Sequence, residues 1–520
     1  MKRSRLQWGL MRVAVAMVAG IGAAAMCWEE GAVRSQAPVG PASWIEPASG
    51  GRLAAELTFG NALGRLGVLN AGGPVEMKGH PFFEPLGGNR RACVTCHQPA
   101  SAMSVSVEAI RERWRATKGT DPIFAAVDGA NNPTLPQALE SSHSLLLDRG
   151  LFRVGLPWPP ADRKVRPEFT IEVVRDPTGV NLDATYGLKS ANPTISVFRR
   201  PRPAANLKYV MSPDDVFNIK TGTLMAVDPE TGKPASMNLM SDARHLTLRQ
   251  QAFGAYKDHQ EGRLAALPRE QLEGIIAFEQ QVYVAQSHDP WGGSLVEPGG
   301  PAGLGPRAMA EGRIHVLANN NRDPVFRLFD AWKNPAALAG QLTDAQREFR
   351  ASVARGNDVF MFRQFWIRDA AHINSIGLGN PIKRTCSTCH NTQMTGQDLA
   401  PGWVDVGTVN YPTWTEPPVF SEKAELPVFK LTCDRSAPPH PYLGRVIYTN
   451  DPGRALITGK CVDIGSIVMG QFRGLAARAP YFSNGSAKNL RELVDFYDRR
   501  FDMKLTEREK TDLVNFLSAL

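Results

Sequence analysis

Beyond its first 25 residues the chain lacks any long apolar run, and nowhere does it carry a block of lysine and arginine. The first absence leaves no later segment able to span a bilayer as a helix, which takes about 20 apolar residues. The second leaves no electrostatic footprint for nucleic acid. The formal net charge over 520 residues is +8, but four of those charges are Lys2, Arg3, Arg5 and Arg12 at the N-terminus. Cysteine is scarce, at 7 residues. Proline and glycine are plentiful, at 39 and 47, so much of the chain reads as loops and short helices. A composition of 43% hydrophobic and 21% charged residues is that of a globular protein, and the length suits two or three domains.

Four of the seven cysteines fall into two copies of one pentapeptide, Cys93-Val94-Thr95-Cys96-His97 and Cys386-Ser387-Thr388-Cys389-His390. Each has the spacing of a c-type haem attachment site. Two thiols two residues apart can each form a thioether to one vinyl group of a single haem, and the next residue puts an imidazole under the iron. Cys93, Cys96, Cys386 and Cys389 are thus candidate attachment residues, and His97 and His390 candidate proximal ligands. A redox dithiol is one alternative. A zinc ribbon pairing Cys93 and Cys96 with Cys386 and Cys389 is another, but it leaves both histidines unexplained.

The N-terminus reads as a secretory signal over residues 1–25. Lys2, Arg3 and Arg5 form its charged part, residues 13–25 its short apolar part, and Ala23-x-Ala25 its cleavage site. An uncleaved anchor helix and a lipid-modified Cys27 are the other readings of this stretch. Covalent haem attachment in bacteria takes place outside the cytoplasm, so export and haem agree, and the expected location is periplasmic or secreted. Once the four motif cysteines are set aside, Cys27, Cys433 and Cys461 remain. Cys27 can leave with the signal. Cys433 and Cys461 then stand as a pair in an oxidising compartment, which points to a disulfide, with two buried free thiols as the other reading.

Along the chain, residues 26–50 read as a linker and 51–286 as an N-terminal haem lobe with an insertion. Residues 287–342 form an inter-lobe loop region, and 343–520 a C-terminal cytochrome c-like haem lobe. The pattern over 53–69 reads as a helix, and the aromatic segment 79–87 as cover for a porphyrin edge. Residues 169–174 alternate like a strand. Helices are expected over 105–116, 246–259, 269–286 and 343–360, the last with Thr343 as N-cap. Residues 401–441 read as structureless. Two closing helices follow, the second opened by a capping box, Thr506-Glu507-Arg508-Glu509.

Several segments together resemble the bacterial di-haem cytochrome c peroxidases and the related MauG enzymes. The most specific run is Asp451-Pro452-Gly453-Arg454 with Thr458-Gly459, then Phe472-Arg473-Gly474-Leu475 to Ala479-Pro480-Tyr481-Phe482-Ser483-Asn484-Gly485. In the first lobe, Asn192-Pro193-Thr194 resembles the family's NxPT, and Asp242-Ala243-Arg244 with Leu248, Gln251 and Ala252 resembles its WDGRxxxLExQA. The resemblance implies a mainly α fold of two cytochrome c-like lobes with long irregular insertions. It implies two covalently bound haem c groups, a calcium ion between them held by the backbone carbonyls of Arg478 and Pro480, and a small redox protein as electron donor or acceptor. Hydrogen peroxide or oxygen is the implied co-substrate.

On the same alignment the axial ligand of the second haem falls on Tyr497, which is methionine in the peroxidases and tyrosine in MauG. Met469 and Met503 are the other candidates; Met394 is too near the attachment site to reach the far face. At the first haem, His143 is the candidate distal ligand, with His245 and His259 behind it. The peroxidase distal glutamate aligns with Arg249, which can stabilise a bound anion but cannot act as a general acid near neutral pH. The distal glutamine aligns with Leu239, the WDG tryptophan with Ser241 and the APYxH histidine with Ser483. The inter-haem relay tryptophan is not evident. The expected function is electron transfer between two haems coupled to a peroxidase-like reaction at the first. A non-catalytic subunit of a periplasmic respiratory complex and an oxygen-dependent di-haem oxygenase are the alternatives.

Overall fold

A computed structural model describes residues 44–162, 164–211, 238–262, 267–312, 327–334, 342–371, 381–390, 402–411 and 425–520. The segment 1–25 that reads as a signal, Cys27 and Met394 lie outside the described residues. All described residues belong to one unit, Gln36–Leu520. No helix among them is long and apolar enough to cross a membrane.

The mainly α expectation is wrong. The structure is 33% helix and 20% strand, and among the described residues the strands form six sheets. The error lies in segments read as irregular or helical. Residues 53–69 are not a helix but carry a hairpin, Glu56–Asn61 against Gly64–Asn70. Its turn needs Gly64, whose φ is +125° and whose Cβ would meet the His288 carbonyl. The Arg269–Gln281 helix stops five residues earlier than its apolar pattern indicates. Val282, Tyr283 and Val284, with β-branched and aromatic side chains, pair instead with Gly64–Asn70 in a four-stranded sheet.

The strand Phe169–Arg175 is present where its alternation places it. Its partner is Val428–Cys433, inside the stretch read as structureless. Leu431 lies opposite Ile171 on one side and Ile447 on the other. An insertion from the first half of the sequence therefore pairs with one from the second. Phe169, Phe429, Leu431 and Ile447 are buried together beneath this sheet.

The second motif sits against three helices, Asp344–Phe362, Leu490–Phe501 and Glu507–Ser518. Thr343 and Thr506 each close a capping box at a helix start. The first and third helices approach closely at Gly356, where a Cβ would lie 2.0 Å from the Asp512 carbonyl oxygen. Asp512 also accepts hydrogen bonds from Ser352 Oγ and Arg355 Nε, so the contact is polar at its edge. Phe360, Leu513, Phe516 and Leu517 fill its apolar side. Truncating a side chain such as Phe516 would cost about 3–5 kcal/mol.

The first motif sits under the helices Leu248–His259 and Arg269–Gln281. Phe82 and Phe83, read as porphyrin cover, pack instead on Phe278, with centroids 4.5 and 5.2 Å away. They join Val94 and Leu66 in the core behind the motif.

Candidate functional site

The two pentapeptides fold alike. Cys93–Thr95 and Cys386–Thr388 are each one 3₁₀ turn, entered from an extended residue: Ala92 at φ −117°, ψ 173° and Thr385 at φ −117°, ψ 171°. In both, the histidine N–H donates to the carbonyl of the first cysteine at 3.1 Å. In both, the threonine hydroxyl accepts the N–H of the residue before the motif, at 3.0 Å for Thr95 and 3.3 Å for Thr388. Threonine is the shared middle residue because its hydroxyl closes this turn. The sequence motif thus specifies a local geometry that presents two thiols and an imidazole together.

Each motif opens onto its own cavity. The second lines a cavity of about 230 Å³, with walls from Phe360, Phe472, Leu493, Val494 and Leu517. The first lines a cavity of about 170 Å³, walled by Leu239, Leu248, Ala252 and Ile275. Six residues belong to both walls: Arg200, Pro201, Arg202, Pro203, Ser241 and Gln471. The cavities are therefore neighbours across a wall formed by residues 200–203 with Ser241 and Gln471, and these shared residues include no aromatic side chain.

The donor chemistry fits a covalent c-type haem in each cavity. The four thiols are not joined in disulfides. Burial pushes Cys96 and Cys386 up to about 12, and Cys93 higher still with help from Glu279. A reactive redox dithiol requires the opposite shift. Among the described residues no group of three or more His, Cys, Asp or Glu gathers as a metal site, so the zinc-ribbon alternative has no support. His97 Nδ1 donates to the Met103 carbonyl at 2.9 Å, which orients the ring and leaves Nε2 as the free nitrogen. Burial lowers its pKa to about 4, so the imidazole is neutral, as a metal ligand must be.

In the second cavity Tyr497, Met469 and Met503 all line the wall. The Tyr497 ring stands 6.4 Å from that of His390, nearly perpendicular to it. Burial, then the neighbouring Cys389 and Cys386, push its phenol above the ordinary value. A bound cation would reverse that preference.

In the first cavity the sequence-derived candidates disperse. Arg249 does not line it; its Nε donates to Glu273 Oε1 at 3.1 Å, and both side chains are part-exposed. His143 is fully buried elsewhere, its ring nitrogens 2.8 and 3.0 Å from the Gly129 and Gln137 carbonyls, with Trp114 and Phe124 around it. His245 does not line the cavity, whereas His259 does, with Nδ1 2.6 Å from Asp128 Oδ2. Leu239 and Ser241, the positions of the family's glutamine and tryptophan, do line it.

Two features escaped the sequence reading. Glu279 lines the first cavity, is buried, and its Oε2 has no hydrogen-bond partner. Burial raises its carboxyl to about 8. The available signal was an acid among the apolar residues Leu272, Ile275 and Phe278. The second feature is a buried charge network. Arg199 binds Asp451 through Nε at 2.6 Å and Nη2 at 2.9 Å, and Asp242 through Nη1 at 2.6 Å. Asp242 also accepts from Arg244 Nη1 at 2.8 Å, and its backbone carbonyl from Arg454 Nη1 at 2.9 Å. The short motifs Asp242-Ala243-Arg244 and Asp451-Pro452-Gly453-Arg454, distant in sequence, meet here beside the shared wall.

Cys433 and Cys461 form a disulfide with Cα atoms 5.9 Å apart, under the sheet of the paired insertions. Arg478 lines the second cavity, and its carbonyl accepts from Arg200 Nη2 at 2.8 Å. Pro480 lines the same cavity and follows a cis peptide bond. No family model and no curated protein matches the chain.

Proposed function

We propose that the chain is an exported di-haem c-type cytochrome that passes electrons between two covalently attached haems, with a peroxidase/MauG-type oxidoreductase reaction at the first. The observation that carries this reading is the pair of alike-folded motifs, each on its own cavity, with one common wall. The bound haems would supply the redox-active irons. Cys93, Cys96, Cys386 and Cys389 hold them, and His97 and His390 ligate from the proximal side. The hydrogen bond from His97 to the Met103 carbonyl fixes the tautomer and makes the ring a stronger donor. Tyr497 is the proposed sixth ligand of the second haem. An exported location accords with the Cys433–Cys461 disulfide, since such bonds persist in oxidising compartments.

At the first haem, catalysis needs an open iron face and a group that can move a proton. Arg249 does not line the cavity, and of the two acids that do, Asp128 is paired with Arg91 and His259, which leaves Glu279, whose carboxyl burial holds protonated. The decisive experiment is the spectrum of the resting and reduced protein, with and without hydrogen peroxide. A five-coordinate high-spin haem and peroxide turnover are expected. Turnover with oxygen alone would move the chemistry to that of a di-haem oxygenase. Two low-spin six-coordinate haems, inert to both oxidants, would remove the enzyme reading and leave an electron-transfer subunit.

A further inference from the structure

The wall between the cavities holds an excess of positive charge. Arg200 is buried, and Arg202 and Arg478 are half-buried. Arg200 and Arg202 line both cavities, and Arg478 lines the second. Their guanidinium groups donate to backbone carbonyls. Arg200 Nη2 donates to Val105 and Arg478 at 2.7 and 2.8 Å. Arg202 donates through Nη1 to Val468 at 2.9 Å and through Nη2 to Met469 at 2.8 Å. Arg478 Nη2 donates to Gln471, while its Nε is buried without a partner. Among the described residues no carboxylate forms an ion pair with any of the three, in contrast to Arg199 and Arg244 alongside.

Burial lowers Arg200 to about 9, and Arg202 and Arg478 to about 10; for the first two the charge of Arg478 adds to the effect. All three therefore remain cationic at neutral pH. Carbonyls satisfy hydrogen bonds but do not neutralise charge. Several like charges gathered away from water are costly unless an anion joins them. A guanidinium has five N–H donors in a fork that matches a carboxylate. Arg202 and Arg478 have donors left over, whereas Arg200 is committed to holding Arg478 and the backbone.

The calcium site implied by the sequence resemblance does not fit here. The Arg478 carbonyl already accepts the Arg200 guanidinium, and a divalent cation on that oxygen would stand against a positive group. Calcium also needs six to eight oxygen ligands.

We infer that this arginine cluster is an anion site shared by the two cavities, receiving a haem propionate from each side and occupying the place of an inter-haem cation. Arg202 takes part toward both haems, because it alone among the arginines with spare donors lines both cavities. Arg478 serves the second haem only. The inference rests on the two-haem reading and adds to it a carboxylate-binding role for these side chains. It also assigns the strip Arg200-Pro201-Arg202-Pro203, clamped by Gln471 through the Pro203 and Ala205 carbonyls, as the electrostatic link between the irons.

The test uses the full haem-loaded protein. Its intact mass is measured first: a bare-polypeptide mass would overturn the haem reading itself, independently of the arginines. With two haems present, the midpoint potentials are measured for Arg202→Gln, Arg202→Lys and Arg478→Gln. A guanidinium offsets the propionate charge that favours the ferric state, so its loss lowers the potential. Arg202→Gln is expected to lower both potentials, Arg202→Lys to restore most of the shift, and Arg478→Gln to lower the second alone. Calcium added after chelator treatment is expected to give no binding heat and no change in either haem spectrum. Arg202→Gln that moves neither potential, or only one, overturns the inference, as does stoichiometric calcium binding with a spectral shift. If Arg202→Gln does not load haem, the lysine and Arg478 variants and the calcium titration decide by the same criteria.

Discussion

The two cavities begin from the same five-residue turn and end as different chemical environments. The second is walled by aromatic and aliphatic side chains and holds three candidate sulfur or phenol ligands, Met469, Met503 and Tyr497. The first is smaller and holds groups that handle protons and charge: Glu279, Asp128, His259 and Arg244. The thiol-and-imidazole turn is thus set locally by the motif, while the surroundings of each turn are set by helices and loops far away in sequence. The second cavity offers side chains that could close a bound iron, as the proposed electron-transfer role would need. The first carries a buried acid, which chemistry on a bound oxidant would need.

The comparison breaks most directly at the thiols. Cys386→Ser with Cys389→Ser is expected to halve the haem-to-protein ratio while leaving the first haem spectrum intact. Cys93→Ser with Cys96→Ser should do the converse. Loss of both haems from either double variant would show that the sites are not independent.

Glu279 offers the next largest effect, confined to the first cavity. Its carboxyl is about 8 in the folded protein against an ordinary 4.5. The folded state therefore binds more protons than the unfolded state between these values, and stability falls as pH rises through that window. The fall is on the order of 3 kcal/mol. Urea unfolding at pH 5 and pH 8 should show it in the native sequence, and Glu279→Gln should flatten it. An unchanged pH slope would mean the carboxyl is not held neutral.

The smallest effect sharpens the contrast from the other side. Tyr497→Phe keeps the ring packing against Phe501 and Phe482, so stability should change by less than about 1 kcal/mol. The spectrum of the second haem alone should shift. An unchanged spectrum would remove Tyr497 from the iron and leave Met469 and Met503.

The two alike-folded turns were legible in the sequence because each is written in five consecutive residues. Sequence reading also located the capped helices at Thr343 and Thr506, whose signals are equally local. It missed the β-sheet content because the strands of the insertions pair across more than 200 residues, as Ile171 does with Leu431. Short strands among prolines carry little periodicity of their own. It placed weight on Arg249 by alignment, but helix Leu248–His259 turns that position outward and presents Gln251, Ala252 and Ala255 to the cavity instead.

What the sequence by itself determined, then, is the two-thiol-and-imidazole turn, twice, since the hydrogen bonds that shape its backbone close within the motif and the residue just before it. Only the tertiary structure decided that the two turns face neighbouring cavities, that Glu279 rather than Arg249 enters the first, and that three arginines lie at their common wall with no ion-paired carboxylate among the described residues. Those facts depend on which distant segments pack together, and packing is set by burial across the whole chain rather than by any short run of residues.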